Sequence, residues 1–178
     1  MVTLRATRRV RGLAPLQLLR SDPAALAEPD TALGDWYVNV LHHGRQHLLL
    51  LASARGLLTC ILPARDVRTL PERLADEVAR RLRRLEIPQP WIAAELAAMD
   101  PVQVAHTLDR SVLGSLVDFA FHAGILLAQD APGTLADRNV LDAAEDFLWE
   151  MPCRVSAPRR RSFFPEDQVH ELLKERWG

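Results

Sequence analysis

Trp36-Tyr37-Val38-Asn39-Val40-Leu41-His42-His43-Gly44-Arg45-Gln46-His47-Leu48-Leu49-Leu50-Leu51-Ala52 places two strand-length apolar runs on either side of a single glycine. Gly44 tolerates the positive φ of a tight hairpin turn. A two-residue Gly44-Arg45 loop then sets the register: His42 opposite His47, Val40 opposite Leu49, Val38 opposite Leu51. Tyr37, Asn39, Leu41, Leu48 and Leu50 fall on the other face. Ser53-Ala54-Arg55-Gly56 reads as a second turn, with a third strand over Leu57–Leu62 that Pro63 ends. Apolar residues on both faces predict a central sheet covered by helices on at least one side.

Outward from this hairpin, Val2, Leu4 and Ala6 alternate with Thr3, Arg5 and Thr7, which predicts a short first strand with one buried face. Gly12 and Pro15 shorten or break any helix in Arg8–Arg20, and Ser21–Ala32 reads as an exposed loop. Thr69-Leu70-Pro71-Glu72 has the capping-box pattern. Leu70, Leu74, Val78 and Leu82 follow at helical spacing while Arg73, Arg80, Arg81, Arg83 and Arg84 face mainly outward. A shorter helix spans Pro90–Met99, and Val102, Val104 and His106 alternate as a further strand. A long apolar helix begins at Asp109 or Ser111 and is expected to be the most buried of all. Thr134 caps a helix that runs to Trp149, and Pro165 opens a last one carrying Val169, Leu172, Leu173 and Trp177.

These elements predict an α+β fold, with a mainly antiparallel sheet of four or five strands packed with four or five helices. Residues 1–155 make the α+β core domain. Residues 156–178 add a basic connector and a C-terminal helix packed on or extending that core.

The 178 residues carry a net charge of −1, with 48 % apolar and 25 % charged residues, so no global field favours nucleic acid or acidic membranes. Lys174 is the one lysine, and the arginine bias fits a GC-rich genome better than a phosphate-binding surface. Glu72, Asp76, Glu77 and Glu86 interrupt the arginine-rich helix, and only 6 % of residues are aromatic, which makes nucleic acid a weak fit. Cys60 and Cys153 are too few for a disulfide framework. The longest pure aliphatic run, Leu48–Leu51, cannot cross a bilayer, so a cytoplasmic protein without membrane association is expected.

Leu33-Gly34-Asp35-Trp36-Tyr37, the hairpin around Gly44-Arg45, Pro63-Ala64-Arg65, Arg110-Ser111-Val112-Leu113-Gly114-Ser115 with Asp118-Phe119, and Pro152-Cys153 carry a resemblance in combination. Over residues 1–155 the chain resembles a family of small bacterial proteins catalogued as a domain of unknown function. The resemblance implies a bacterial cytosolic origin and transfers no catalytic residue.

Six residues form the candidate binding cleft: Asp35, Trp36, His106, Arg110, Ser111 and Asp118. An Asp35–Arg110 salt bridge would pin the long helix to the sheet, and the helix start with Arg110 would suit an anion. Asp118 and His122 share helical spacing, and His42 and His47 share a hairpin face, but no strong metal motif is present and neither metal nor cofactor is expected. Asp109 or Ser111 reads as a helix cap, and Arg154 as a neighbour lowering the Cys153 pKa. With no complete catalytic set, the sequence favours a non-catalytic binding or regulatory module with a protein partner met through the C-terminal helix and Trp177. The alternative is a small enzyme acting on a phosphate-bearing substrate, a nucleotide or nucleic acid, with Arg110 stabilising charge and Asp35, His106 or Asp118 as acid or base. Nothing in the sequence sets an oligomeric state.

Overall fold

The hairpin adopts the register its residues predict: His42 pairs with His47, Val40 with Leu49 and Val38 with Leu51. The two imidazoles meet edge to face with centroids 4.6 Å apart. The computed structural model describes residues 1–13, 26–43, 46–129, 137–154 and 162–178. The Gly44-Arg45 turn, the Thr134 cap and the basic connector lie outside the described residues.

Strands β1 (Val2–Ala6), β2 (Trp36–His43), β3 (Gln46–Ser53), β4 (Thr59–Pro63) and β5 (Val102–His106) form one five-stranded sheet in the order β4-β3-β2-β1-β5. The α+β class stands, and the sheet is mixed. β2, β3 and β4 pair antiparallel in succession, whereas β1 lies parallel to both β2 and β5. Long connections permit this: β5 returns only after two helices, and parallel neighbours need such a crossover. Because β1 sits inside the sheet, Thr3 and Arg5 are as buried as Val2 and Leu4, so its second face is not the exposed one expected.

Helices α1 (Arg8–Leu13), α2 (Leu70–Arg84), α3 (Gln89–Met99) and α6 (Pro165–Trp177) contribute to the core on one face, with Val38, Val40, Leu49, Leu51, Cys60 and Leu62 of the sheet. Helices α4 (Arg110–Leu127) and α5 (Arg138–Trp149) cover the other, over Tyr37, Leu41, Leu48, Leu50 and Ile61. The period-two alternation thus feeds two cores from one set of strands. A short antiparallel ribbon, β6 (Cys153–Arg154) with β7 (Ser162–Phe163), leads into α6.

Several local expectations change. The Thr69 side chain does not cap α2; the helix grows out of a 3-10 turn over Ala64–Thr69, which already supplies its entry. Asp137 caps α5 by accepting the Asn139 amide at 2.9 Å. The expected exposed loop ends with Thr31 and Ala32 buried, because the buried Glu95 carboxylate accepts the Ala32 and Leu33 amides at 2.8 and 3.0 Å. Arg81 does not face outward; it is fully buried, since α5 packs against this side of α2. α4 is not the most buried helix either. Val112, Leu116, Phe119, Ala123 and Leu127 face the core, while Val117, Phe121 and Ile125 are 60 %, 66 % and 50 % exposed.

Candidate functional site

The corner where β2 begins and α4 starts is built from backbone and charge. Asp35, one residue before β2, is buried on the face that Arg5 occupies on β1. Arg5 Nε and Nη2 each lie 2.8 Å from Asp35 Oδ2, and the Thr3 amide donates to Oδ1 at 3.0 Å. The expected partner, Arg110, stands exposed on the first turn of α4 and takes no part in this pair. The helix start is fixed instead by Asp109, whose carboxylate accepts the Ser111 amide at 2.7 Å and whose own amide donates to the Tyr37 hydroxyl at 3.0 Å. Burial raises the Tyr37 pKa, so its phenol stays protonated at neutral pH and the Asp109 contact only partly offsets this.

Three hollows adjoin at Arg55, on the turn after β3. One, of about 320 Å³, is lined by Arg5, Asp35, Tyr37 and Asp109. A second, of about 310 Å³, runs from Gly56 past Ser111 and Ser115 to Phe163 and Leu172. The third, of about 490 Å³, is bordered by Glu28, Asp30, Glu175 and Arg176. All lie at the low end of ligand-sized pockets, near 300–1,000 Å³.

Of the six residues singled out from sequence, Asp35 and Ser111 enter two of these neighbouring hollows. Trp36 points to the opposite face and is wholly buried in the α2–α3 core, its Nε1 without a hydrogen-bond partner among the described residues. His106 is exposed, and its carbonyl accepts Arg5 Nη1 at 3.5 Å. Asp118 lies along α4 in a separate hollow of about 260 Å³ with His122 and Cys153. There burial, and then the Asp118 charge, push the Cys153 thiol up to about 11, the reverse of the lowering expected from Arg154. Among the described residues no three His, Cys, Asp or Glu side chains are grouped to hold a metal ion.

Sequence reasoning passed over the buried charges. Glu145 on α5 is fully buried; it accepts the Ile61 amide at 2.7 Å and both Arg80 Nη2 (2.8 Å) and Arg138 Nη2 (2.5 Å). Arg138 Nη1 donates to the Ile61 carbonyl at 2.9 Å, so both outward backbone groups of this edge-strand residue are occupied by α5. Burial works against the Arg80 charge, and Glu145 outweighs it, holding the guanidinium protonated. Burial likewise opposes the Asp146 charge, and hydrogen bonds from Arg84 and Arg81 prevail and hold its pKa below the usual carboxylate value. Glu95 accepts Trp177 Nε1 at 2.8 Å besides its two loop amides, so Trp177 serves the interior rather than standing free for a partner. The signal was available: Glu95, Glu145 and Arg81 each interrupt an apolar helical stripe, where a charge needs an internal partner.

Large apolar side chains are also exposed, most of them on and beside α4. Val117, Phe121 and Ile125 line the outer side of α4, with Leu108 before it (54 % exposed) and Phe147 on α5 (44 %). α4 has the length and hydropathy of a bilayer-crossing helix, but its opposite stripe is committed to the sheet.

A mixed sheet covered on both faces, with its buried charges paired internally and one helix face bearing exposed apolar side chains, defines a small α+β domain. Residues 3–168 match the family model of DUF6933, a domain of unknown function, and the chain belongs to this family. No curated protein and no solved structure matches it.

Proposed function

We propose that this protein is a non-catalytic binding module that works through protein contact at the outer face of α4. The observation that carries this reading is the exposed Val117–Phe121–Ile125 line, in a molecule whose buried acids are engaged in internal bonds. Contiguous exposed apolar surface of this kind marks interaction sites. The phosphate-enzyme alternative draws no comparable support. It needs Arg110 beside Asp35, His106 or Asp118 in one cleft, whereas Asp35 is buried on Arg5, His106 and Arg110 are exposed, and Asp118 lies in another hollow. A cytoplasmic, bacterial setting accords with this reading.

Affinity capture from the source cell with the intact chain, against a Val117→Ser/Phe121→Ser/Ile125→Ser variant, tests the proposal. A protein, a second copy of the chain included, held by the first and lost by the second is expected. Equal capture by both, or turnover of a phosphate ester that depends on Asp35, would overturn it.

A further inference from the structure

Resting on that reading of α4, we infer that the partner it accepts is a second copy of this chain, joined antiparallel about a twofold axis at Phe121. The exposed line runs Gly114, Val117, Phe121, Ile125 and, at the C-cap, Ala128. Its spacing is symmetric about Phe121, with positions four and seven residues away on either side. Turned end for end on a copy of itself, the line sets Phe121 against Phe121, Val117 against Ile125, and Gly114 against Ala128. Large side chains meet large ones at the centre, and the small residues fall together at the ends, where the helices can approach closely. A twofold interface requires this self-complementarity.

The flank agrees in charge. Asp118 is exposed and His122 half-buried on the same side of the line. With a rise of about 1.5 Å per residue, antiparallel pairing brings Asp118 of one copy within roughly 3 Å, along the axis, of the level of His122 in the other. Each dimer then has two carboxylate–imidazole pairs bordering the apolar seam, one on each half of the twofold. A lipid surface fits less well: interfacial helices carry Lys and Arg along the polar side, and α4 has Arg110 alone. One helix pair is a small interface, so the dimer is concentration-dependent.

Sedimentation equilibrium of the intact chain, from sub-micromolar to sub-millimolar concentration, reads the result directly. Expected are a species of twice the 20.0 kDa chain mass at high concentration and its loss in Phe121→Asp with an unchanged circular dichroism spectrum. Asp118→Lys should weaken association at least several-fold, and adding His122→Asp should restore it. Under oxidation Phe121→Cys should cross-link to itself whereas Val117→Cys should not, because a parallel pairing would join both and the antiparallel one sets Val117 against Ile125; buried Cys60 and Cys153 stay out of reach. A wild-type chain monomeric throughout, a dimer that survives Phe121→Asp, or recruitment to anionic phosphatidylserine vesicles without dimerisation would overturn the inference. If the chain stays monomeric but a foreign protein binds and is lost in the serine variant, the second-copy inference alone fails. If capture is equal in both, the α4 reading fails with it.

Discussion

Arg5 Nε and Nη2 both lie 2.8 Å from one oxygen of Asp35, while the other oxygen takes the Thr3 amide at 3.0 Å. This pair ties the interior strand β1 to the entry of β2 from inside the fold. It also explains why the sheet accepts an arginine that is only 5 % exposed.

Removing one member of such a pair leaves the other charge buried and uncompensated. Asp35→Asn or Arg5→Met alone should cost about 3–5 kcal/mol, whereas Arg5→Met with Asp35→Leu should cost clearly less than the sum. Urea unfolding of the four proteins in the cycle checks this. Additive losses would show that the two side chains act independently.

The edge of β4 depends on α5. Glu145→Leu removes the acceptor of the Ile61 amide and the counter-charge of Arg80 and Arg138. A loss of about 3–5 kcal/mol is expected. The Ile61 amide should lose hydrogen-exchange protection before its neighbours on β3, with more aggregation on heating from the uncovered edge.

Cys153 should be a poor nucleophile at neutral pH. Its thiol is pushed up to about 11, first by burial and then by Asp118, so its alkylation rate should keep rising well above the usual thiol pKa. The folded state holds the thiol neutral while the unfolded chain ionises first. The raised pKa therefore leaves stability intact below the ordinary thiol pKa of 9.0 and erodes it as pH climbs toward 11. Asp118→Asn should move the alkylation midpoint down, and Cys153→Ala should flatten the alkaline loss of stability.

Gly56 sets how closely the β3–β4 turn approaches α6. Its φ is +77°, and a Cβ there would sit 2.8 Å from Val169 Cγ2 and 3.2 Å from Leu172 Cδ1. Gly56→Ala should cost about 1–3 kcal/mol through backbone strain and displacement of α6. Hydrogen exchange in α6 should rise more than in α2. Trp177→Phe, which removes the bond to Glu95, should loosen the same helix by about 1–2 kcal/mol without strain at the turn.

Much of this architecture was legible because it is written in local patterns. The hairpin register followed from the loop length and the apolar alternation alone, and His42–His47, Val40–Leu49 and Val38–Leu51 pair accordingly. Helices over Leu70–Arg84, Gln89–Met99 and Pro165–Trp177 followed from period and proline placement. The burial of α4 was misread for a physical reason. Hydropathy alone does not distinguish a helix that is apolar because it is enclosed from one that is apolar on a bare face; α4 is apolar on both sides and enclosed on one. At the candidate site, Asp35 and the start of α4 do meet, but through Arg5 and Tyr37, one on another strand and both distant in the chain from Arg110.

The sequence by itself determined the strands of the main sheet and the long helices, the pairing of β2 with β3, and the α+β class, since each depends on spacing between near neighbours, while the short β6–β7 ribbon and the 3-10 turn before α2 were not among them. Only the tertiary structure decided that β1 lies inside the sheet, that Arg5 rather than Arg110 satisfies Asp35, that Glu145 guards the β4 edge, and that one side of α4 stays bare. These outcomes turn on which distant groups come into contact, and desolvation makes a buried charge take whatever partner the fold delivers.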